Sequence, residues 1–471
     1  MKTPNFRRHR VAAAVAGTLL ALGATQAFAT GMQLNEQSAS SIGNAFAGGA
    51  AFTDDISAMW WNPAVLSKFE RAQFIQGLHV VVPSIKFRNE ASVPAFNQPL
   101  GGDGGDAGGW NFIPNLYFSM PINNQFAFGL GIGGPFGTKT QYSDGWLGRY
   151  QALTSEILTI NVNPAFSWKV TPEFSVGAGV NFQYIDGKFT SNVNYSGALI
   201  QAAQIAGLPP ATIGLVAQAT PGLDSKGTIT ADDTAWGWNI GAAWDVTPQW
   251  RLAAAYRSEI KYDLTGNADF NNPTISLAPT TPPQLAATIN ALAAAVNASR
   301  LSGRSITSEI TLPQIANLSA VWRVNPQWEV MADAQWTGWS SITDLTFYNT
   351  DGSVLQGIPL EWDDTWKFAV GTSYRYNDQW KARFGVAFDQ TPVTTHPTAR
   401  LPDSDRWWFA VGGEYRWTPQ WKFDAGLVYI NGDKANFDQQ FSAAEAASLG
   451  QIRGSYDASV WILSAQAVYS F

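Results

Sequence analysis

No cysteine occurs in the 471 residues, which excludes disulfides, thiol chemistry and cysteine-ligated metals. Histidine is almost as scarce. Of the three, His9 falls in the basic N-terminal stretch, His79 in a strand-like segment and His396 in the loop-like Thr394-Thr395-His396-Pro397. A lipase-type serine–histidine pair has little to draw on, so the chain reads as a non-enzyme needing no cofactor and no metal. Charged residues make up only 14% and the net charge is −7, which removes nucleic acid as a partner. Long hydrophobic runs are missing as well. Past the first 29 residues, nothing approaches the ~20 apolar residues of a helical membrane span. A mean hydropathy of −0.10 would by itself describe a soluble protein.

What is present points elsewhere. Lys2, Arg7, Arg8 and Arg10 precede an Ala-rich apolar run from Val11 to Ala24 and then Ala27-Phe28-Ala29. A charged start, a short apolar centre and an A-x-A site predict a secretory signal peptide over residues 1–29. The remainder carries most of 21 Trp, 27 Phe and 14 Tyr together with 43 Gly. That aromatic load suits a barrel with girdles at both membrane interfaces.

Alternation with period two recurs along the chain. Phe174, Val176, Ala178, Val180, Phe182 and Tyr184 oppose Ser175, Gly177, Gly179, Asn181 and Gln183. Trp236, Trp238, Ile240, Ala242, Trp244 and Val246 oppose Gly237, Asn239, Gly241, Ala243 and Asp245. Such segments are strands with two unlike faces. A soluble β-sandwich would also alternate, but length and the Trp- and Tyr-rich apolar face favour a transmembrane barrel. The last strand, Trp461 to Phe471, ends on an aromatic, a terminus resembling the insertion signal of outer-membrane barrels.

A polar turn ending in an aromatic recurs six times: Asn124-Gln125-Phe126, Pro172-Glu173-Phe174, Pro248-Gln249-Trp250, Pro326-Gln327-Trp328, Asp378-Gln379-Trp380 and Pro419-Gln420-Trp421. Proline cannot donate to a ladder and belongs between strands. Six turns flank twelve strands. A first strand near Ala72–Phe87 and the last make fourteen, so the fold expected over residues 71–471 is an all-β, 14-stranded antiparallel transmembrane barrel in the bacterial outer membrane. Long connections at about 191–232 and 267–305 should face outward. In the second, Leu285, Ile289, Leu292 and Val296 share one helical face.

Residues 30–70 do not alternate and are too long for a linker. A plug inside the barrel explains them, because fourteen strands enclose a lumen too wide for side chains to fill. The third strand has its own irregularity: Phe126-Ala127-Phe128 leads into Gly129, Gly131 and then Gly133-Gly134-Pro135-Phe136-Gly137. Glycine and proline inside a strand mark a kink or broken ladder.

The run from Gly31 through Gln33, Leu34, Asn35 and Glu36 to Ser38, followed by Gly43-Asn44-Ala45-Phe46-Ala47-Gly48 and Asn62-Pro63-Ala64, resembles the FadL family of outer-membrane long-chain fatty acid transporters, the OmpP1/FadL/TodX type, which also includes importers of aromatic hydrocarbons. The resemblance covers the chain after residue 29. It implies a monomeric barrel closed by a hatch over residues 30–70. It further implies capture in an apolar groove between the two long loops, a lumenal site, and sideways release into the membrane where the third strand kinks. Leu285, Ile289, Leu292 and Val296 are then groove candidates, and Gly133, Gly134, Pro135, Phe136 and Gly137 the lateral gate.

A hydrophobic cargo is driven from water by ~0.8 kcal/mol per buried methylene, and the partners expected are that cargo, outer-membrane lipid and lipopolysaccharide. A buried carboxylate would need a basic partner. By strand parity Arg251, Arg257, Arg323, Arg375, Lys381 and Arg383 face inward, with Glu259, Asp263, Glu329 and Asp333 nearby as ion-pair partners. Lys188 and Arg383 are the candidates for a ligand carboxylate. Fatty acid is the first reading, neutral aromatic hydrocarbon the alternative, and a general porin is disfavoured by plug and apolar loops. A phage-receptor or adhesin role is compatible with either.

Overall fold

The computed structural model describes residues 31–439 and 441–471, so the signal peptide expected over residues 1–29 lies outside the described residues. Fourteen antiparallel strands close into a barrel. They are β1 (Gln73–Asn89), β2 (Asn111–Pro121), β3 (Phe126–Gly133, resuming as Gly137–Gln141), β4 (Thr154–Lys169), β5 (Phe174–Asn194) and β6 (Asp224–Asp245). Then come β7 (Trp250–Arg257, then Ile260–Asn271), β8 (Arg304–Leu312, then Ile315–Arg323) and β9 (Trp328–Thr337, then Asp344–Asn349). The circuit ends with β10 (Val354–Pro359, then Thr365–Arg375), β11 (Trp380–Asp389), β12 (Arg406–Arg416), β13 (Trp421–Gly432, then Ala435–Asp438) and β14 (Arg453–Ser470). Closure pairs β1 with β14, from Gln73 opposite Ser470 to Asn89 opposite Gly454.

The alternation decides which side faces out. On β6 Trp236, Trp238, Ile240 and Trp244 are exposed, while Asn239 and Ala243 are buried. An apolar exterior of this kind is stable against hydrocarbon, and the polar residues line the interior. Aromatic pairs across neighbouring strands gather at the turn end, such as Trp250 with Trp322 (5.4 Å between ring centroids) and Trp421 with Tyr469 (4.8 Å). A second set, including Phe182 with Trp236 (4.7 Å) and Tyr429 with Trp461 (4.7 Å), lies toward the opposite end.

Each of the six tight turns is held by a residue that precedes the repeated motif. Asn123, Thr171, Thr247, Asn325, Asn377 and Thr418 accept with their side chains from the backbone N–H of Phe126, Phe174, Trp250, Trp328, Trp380 and Trp421. The strands begin at those same aromatics. These are Asx- and ST-type turns, in which the side chain mimics a backbone acceptor.

Strands run further out than the sequence reading allowed. The loop expected at 191–232 is reduced to 195–223, and that at 267–305 to 272–303, because paired backbone continues to Asn194, from Asp224, to Asn271 and from Arg304. The two long loops at this end carry the helices α1 (Tyr195–Ile205), α2 (Pro210–Ala219) and α3 (Pro283–Ser299). Residues 31–70 form short helical turns inside the barrel, nearly all buried.

Candidate functional site: a filled lumen, a broken strand and a loop-covered mouth

The segment 31–70 sits on lumenal glycines. A Cβ on Gly385 would lie 2.1 Å from the backbone of Asn44, and one on Gly177 would lie 2.4 Å from the amide nitrogen of Ala64. Backbone therefore packs directly on backbone, which only glycine permits. Asn62 accepts from the Ala64 N–H (2.9 Å) and donates to the carbonyls of Ala50 (2.8 Å) and Ala242 (3.0 Å). Pro63 opens the short 3-10 helix Pro63–Lys68, where its missing N–H costs nothing. Asn62-Pro63-Ala64 thus fastens the segment to β6.

Charge fastens it elsewhere. Asp54 contacts Lys381 and Arg383 at 2.7 Å each, and Asp55 contacts Lys422 at 3.0 Å. Burial alone would raise the Asp54 carboxyl, but Lys381, Arg383 and Lys422 outweigh it and hold that group well below its ordinary value. Arg383 also binds Asp424 (2.7 Å) and Glu414 (2.9 Å) and is fully buried. This corrects its assignment as a ligand partner: three carboxylates already occupy its guanidinium. Arg251 pairs with Asp245 (2.6 Å), Arg323 with Glu329 (3.6 Å), and Arg257 donates to the Trp60 carbonyl (2.7 Å). Glu259 and Asp263 point outward instead. Across from β6 the pairing slips by one residue between Arg257 and Thr265, a bulge that inverts parity.

Lys188 needs the same correction. It shares parity with Phe182 and Tyr184, lies opposite Glu156 and Thr230, and is exposed on the outer face.

The third strand breaks at Gly134-Pro135-Phe136. Before the break Gly133 faces Asn161 on β4, and after it Gly137 faces Leu158, a slip of one residue. The ladder to β2 stops at Leu116 opposite Ile132, and Gly137–Gln141 pairs with β4 alone. Residues Asn111–Asn115 of β2 therefore have no ladder partner on that side, and the wall is parted there. Residues 32–37 cover the gap from within. Leu34 N–H donates to the Pro135 carbonyl (2.8 Å), Gly137 N–H to the Met32 carbonyl (2.7 Å) and Gln37 Nε2 to the Gly134 carbonyl (2.6 Å), while Gln33 bridges to Phe136. Gln33 also approaches Asn35 (3.4 Å). Gly31, at φ +57°, lies against Trp339, whose ring is 6.1 Å from Phe136. Glu36 is fully buried and neither carboxylate oxygen has a hydrogen-bond partner among the described residues. Burial raises its pKa to about 7, offset only in part by the nearby Glu36 backbone amide and by Lys367.

At the mouth, the helical face of α3 is used up internally. Ile289, Leu292 and Val296 are buried against Tyr195, Leu199 and Val216 of the other loop, with Leu285 packed on the same cluster. They form a helix–helix core, which corrects their assignment to ligand. The cleft lies lower, at the foot of the loops: about 370 Å³ lined by Phe189, Ile229, Phe270 and Leu355, with Arg300 and Arg304 at its edge. Beneath Phe189 lies Arg400, only 4% exposed, its guanidinium carbon 5.7 Å from that ring. Its Nη1 donates to Ser155 Oγ (3.3 Å), and it has no acidic partner among the described residues. Burial pushes its pKa down to about 10, so it stays charged at neutral pH. Strand parity could not find Arg400, since it sits on the β11–β12 loop. Thr140 and Tyr142 draw that loop into the barrel by donating to the Arg400 (2.9 Å) and Ala399 (2.8 Å) carbonyls.

His79 is bonded at both ring nitrogens, to Ser464 (2.7 Å) and Asn115 (2.7 Å), as part of the lumenal wall.

Residues 20–471 match the family described as outer membrane protein transport protein (OMPP1/FadL/TodX). The chain is 29% identical over 434 residues to the long-chain fatty acid transport protein of Escherichia coli K12, covering 89% of this chain and 92% of that one. It is 27% identical over 448 residues to outer membrane protein P1 of Haemophilus influenzae, covering 92% of each. Among solved structures, a Pseudomonas aeruginosa FadL homologue superposes with a TM-score of 0.80 at 27% identity, covering 94% of this chain and all of that one. The Ralstonia pickettii toluene transporter TbuX, at 20% identity and a TM-score of 0.60 over 91% of this chain and 98% of that one, shares the fold. The chain belongs to the OMPP1/FadL/TodX family of outer membrane transport proteins and is not an enzyme.

Proposed function

We propose that this protein is a monomeric, passive importer of long-chain fatty acids across the outer membrane. The observation that carries the reading is Arg400, a buried guanidinium without a carboxylate partner among the described residues, packed against Phe189 in the wall of a cleft of mixed polar and apolar lining. An unpaired buried cation is costly, and a ligand carboxylate arriving through the cleft supplies the missing charge. Arg300 and Arg304 add positive charge at the cleft edge. The relatives named as long-chain fatty acid transport proteins support the same substrate class.

In this reading the acyl chain enters the cleft among Phe189, Ile229 and Phe270 and its head reaches Arg400. It then passes the aromatic constriction of Phe136, Trp339 and Trp362. Residues 30–70 act as the hatch. The hatch end around Gln33–Gln37 leaves the break at Gly133–Gly137, and the chain slides between β2 and β3 into the bilayer. Downhill movement requires no energy source. The aromatic constriction also favours neutral aromatic hydrocarbons as a second reading. Titration of purified protein with oleate and with methyl oleate separates the two. Oleate should bind more tightly, and Arg400→Ala should abolish that preference. Equal binding of acid and ester by the unaltered protein would overturn the fatty acid reading.

A further inference from the structure

Arg257, like Arg400, is a buried cation that meets no acid among the described residues. It lies on the inner face of β7. The acids nearest to it in the chain, Glu259 and Asp263, are turned outward by the bulge that follows it. Its contacts are neutral. Nη1 donates to Asn181 Oδ1 and Nη2 to the Trp60 carbonyl (2.7 Å), and the guanidinium carbon stands 4.8 Å from the centre of the Trp60 ring.

A row of amides joins this guanidinium to the break in β3. Gly133, the last paired residue before the break, lies opposite Asn161 on β4. Asn161 Nδ2 donates to Asn181 Oδ1 on β5 (3.0 Å), the same oxygen that accepts from Arg257. Asn181 Nδ2 in turn donates to Asn239 Oδ1 on β6 (3.3 Å), which also accepts from Asn163 Nδ2 (2.9 Å). All four amides are buried, yet Asn161 Oδ1, Asn163 Oδ1 and Asn239 Nδ2 have no hydrogen-bond partner among the described residues. Folded proteins leave few such atoms unmet. The row begins where the N-terminal segment closes the gap: a Cβ at Gly133 would lie 2.5 Å from Gln37 Oε1 and 3.3 Å from the Trp60 ring. Departure of Gln37 therefore clears space between Gly133 and the ring that Arg257 covers.

We propose that Arg257, with the row Asn161, Asn181 and Asn239, forms a second carboxylate site beside the break, which receives the head of the cargo after Arg400. The site rests on the fatty acid reading above and adds a residue that discriminates between cargoes at the exit. An unpaired guanidinium in the lumen is costly, and an arriving carboxylate relieves that cost. Arginine suits the task because its planar fork of donors matches two carboxylate oxygens, and Asn239 Nδ2 supplies a spare donor in the same row. With the head held there, the acyl tail lies at Gly133 and reaches the parted wall first. Methylenes then enter the bilayer before the charge leaves the lumen. A neutral cargo passes the same site without binding to it.

The test is uptake of labelled oleate and of labelled methyl oleate by cells with no other importer of this kind, expressed as a ratio. Asn181→Asp keeps the shape of the side chain and gives Arg257 a permanent carboxylate. It should lower the ratio of oleate to ester uptake about tenfold. Should that variant fail to insert, judged by the heat-dependent gel shift, Arg257→Gln decides by the same fall, and Arg257→Lys, which keeps the charge, should return most of it. Titration of the unaltered protein with the two probes separates this site from the reading beneath it. Equal binding of acid and ester there would remove the fatty acid reading and this site together. Preference for oleate in that titration, with the uptake ratio of an inserted variant unchanged, both cargoes slowed alike, or no return with lysine, would overturn this site alone.

Discussion

Residues 54–55 and residues 32–37 both tie the N-terminal segment to the wall, the first by buried ion pairs to two strands, the second mainly by hydrogen bonds to one broken strand. The ion pairs are mutually dependent: Arg383 serves Asp54, Glu414 and Asp424 at once, so removing one charge strands the others. The hydrogen bonds near Gly134–Gly137 are few and lie where the ladder to β2 is already absent. One end is therefore an anchor and the other, in the proposed function, a latch.

The largest effect should come from breaking the anchor. Arg383→Leu leaves buried carboxylates unpaired and should cost about 3–5 kcal/mol, read as a lowered midpoint of the heat-dependent gel shift. An unaltered midpoint would show that the anchor carries no weight.

The two ends should also differ in pH response. Asp54 has a depressed pKa, so its contribution is present above the ordinary value of 3.8 and fades only in stronger acid. Glu36 has a raised pKa, so the latch is most stable below 4.5 and loses stability as pH rises toward and through about 7. Glu36→Gln should remove that dependence, a gain of up to about 3 kcal/mol at pH 8 and little at pH 4. Hydrogen exchange of residues 32–37 at the two pH values measures it, and an equal gain at both would refute the assignment.

Gly133→Val with Gly134→Val should reduce uptake several-fold in an inserted barrel. A Cβ at Gly133 would lie 2.5 Å from Gln37 Oε1, and one at Gly134 3.0 Å from the Thr159 carbonyl. Unchanged uptake would place release elsewhere. The smallest effect belongs to Gln37→Ala, which removes the side chain's hydrogen bonds to the Leu34 and Gly134 carbonyls, only the second of them to the wall and worth about 1 kcal/mol. It should speed exchange at 32–37 and leave 54–55 untouched.

Much of the barrel was legible because a strand in a membrane writes its two environments into alternate residues. The six turns could be counted for a related reason: each needs an aromatic and a residue that tolerates the turn. What misled was parity carried across a bulge. Glu259 and Asp263 belong to the outer face only because one residue is inserted after Arg257, and nothing in Arg257-Ser258-Glu259 announces it. Lys188 is a different failure, since counting from Phe182 would have placed it outside. The face of α3 was readable as apolar, but whether it meets ligand or another helix depends on α1, which lies about a hundred residues away in sequence.

By itself the sequence determined the barrel, its strand number and the irregular third strand, since periodicity, turn chemistry and glycine content act locally. Only the tertiary structure decided which cations are free. Arg383 and Arg400 look alike in the sequence, yet one is saturated by carboxylates from the N-terminal segment and two other strands, and the other, drawn inward on a loop, meets none among the described residues. Charge pairing over a few ångströms depends on which distant segments share the lumen, and that is settled when the chain closes.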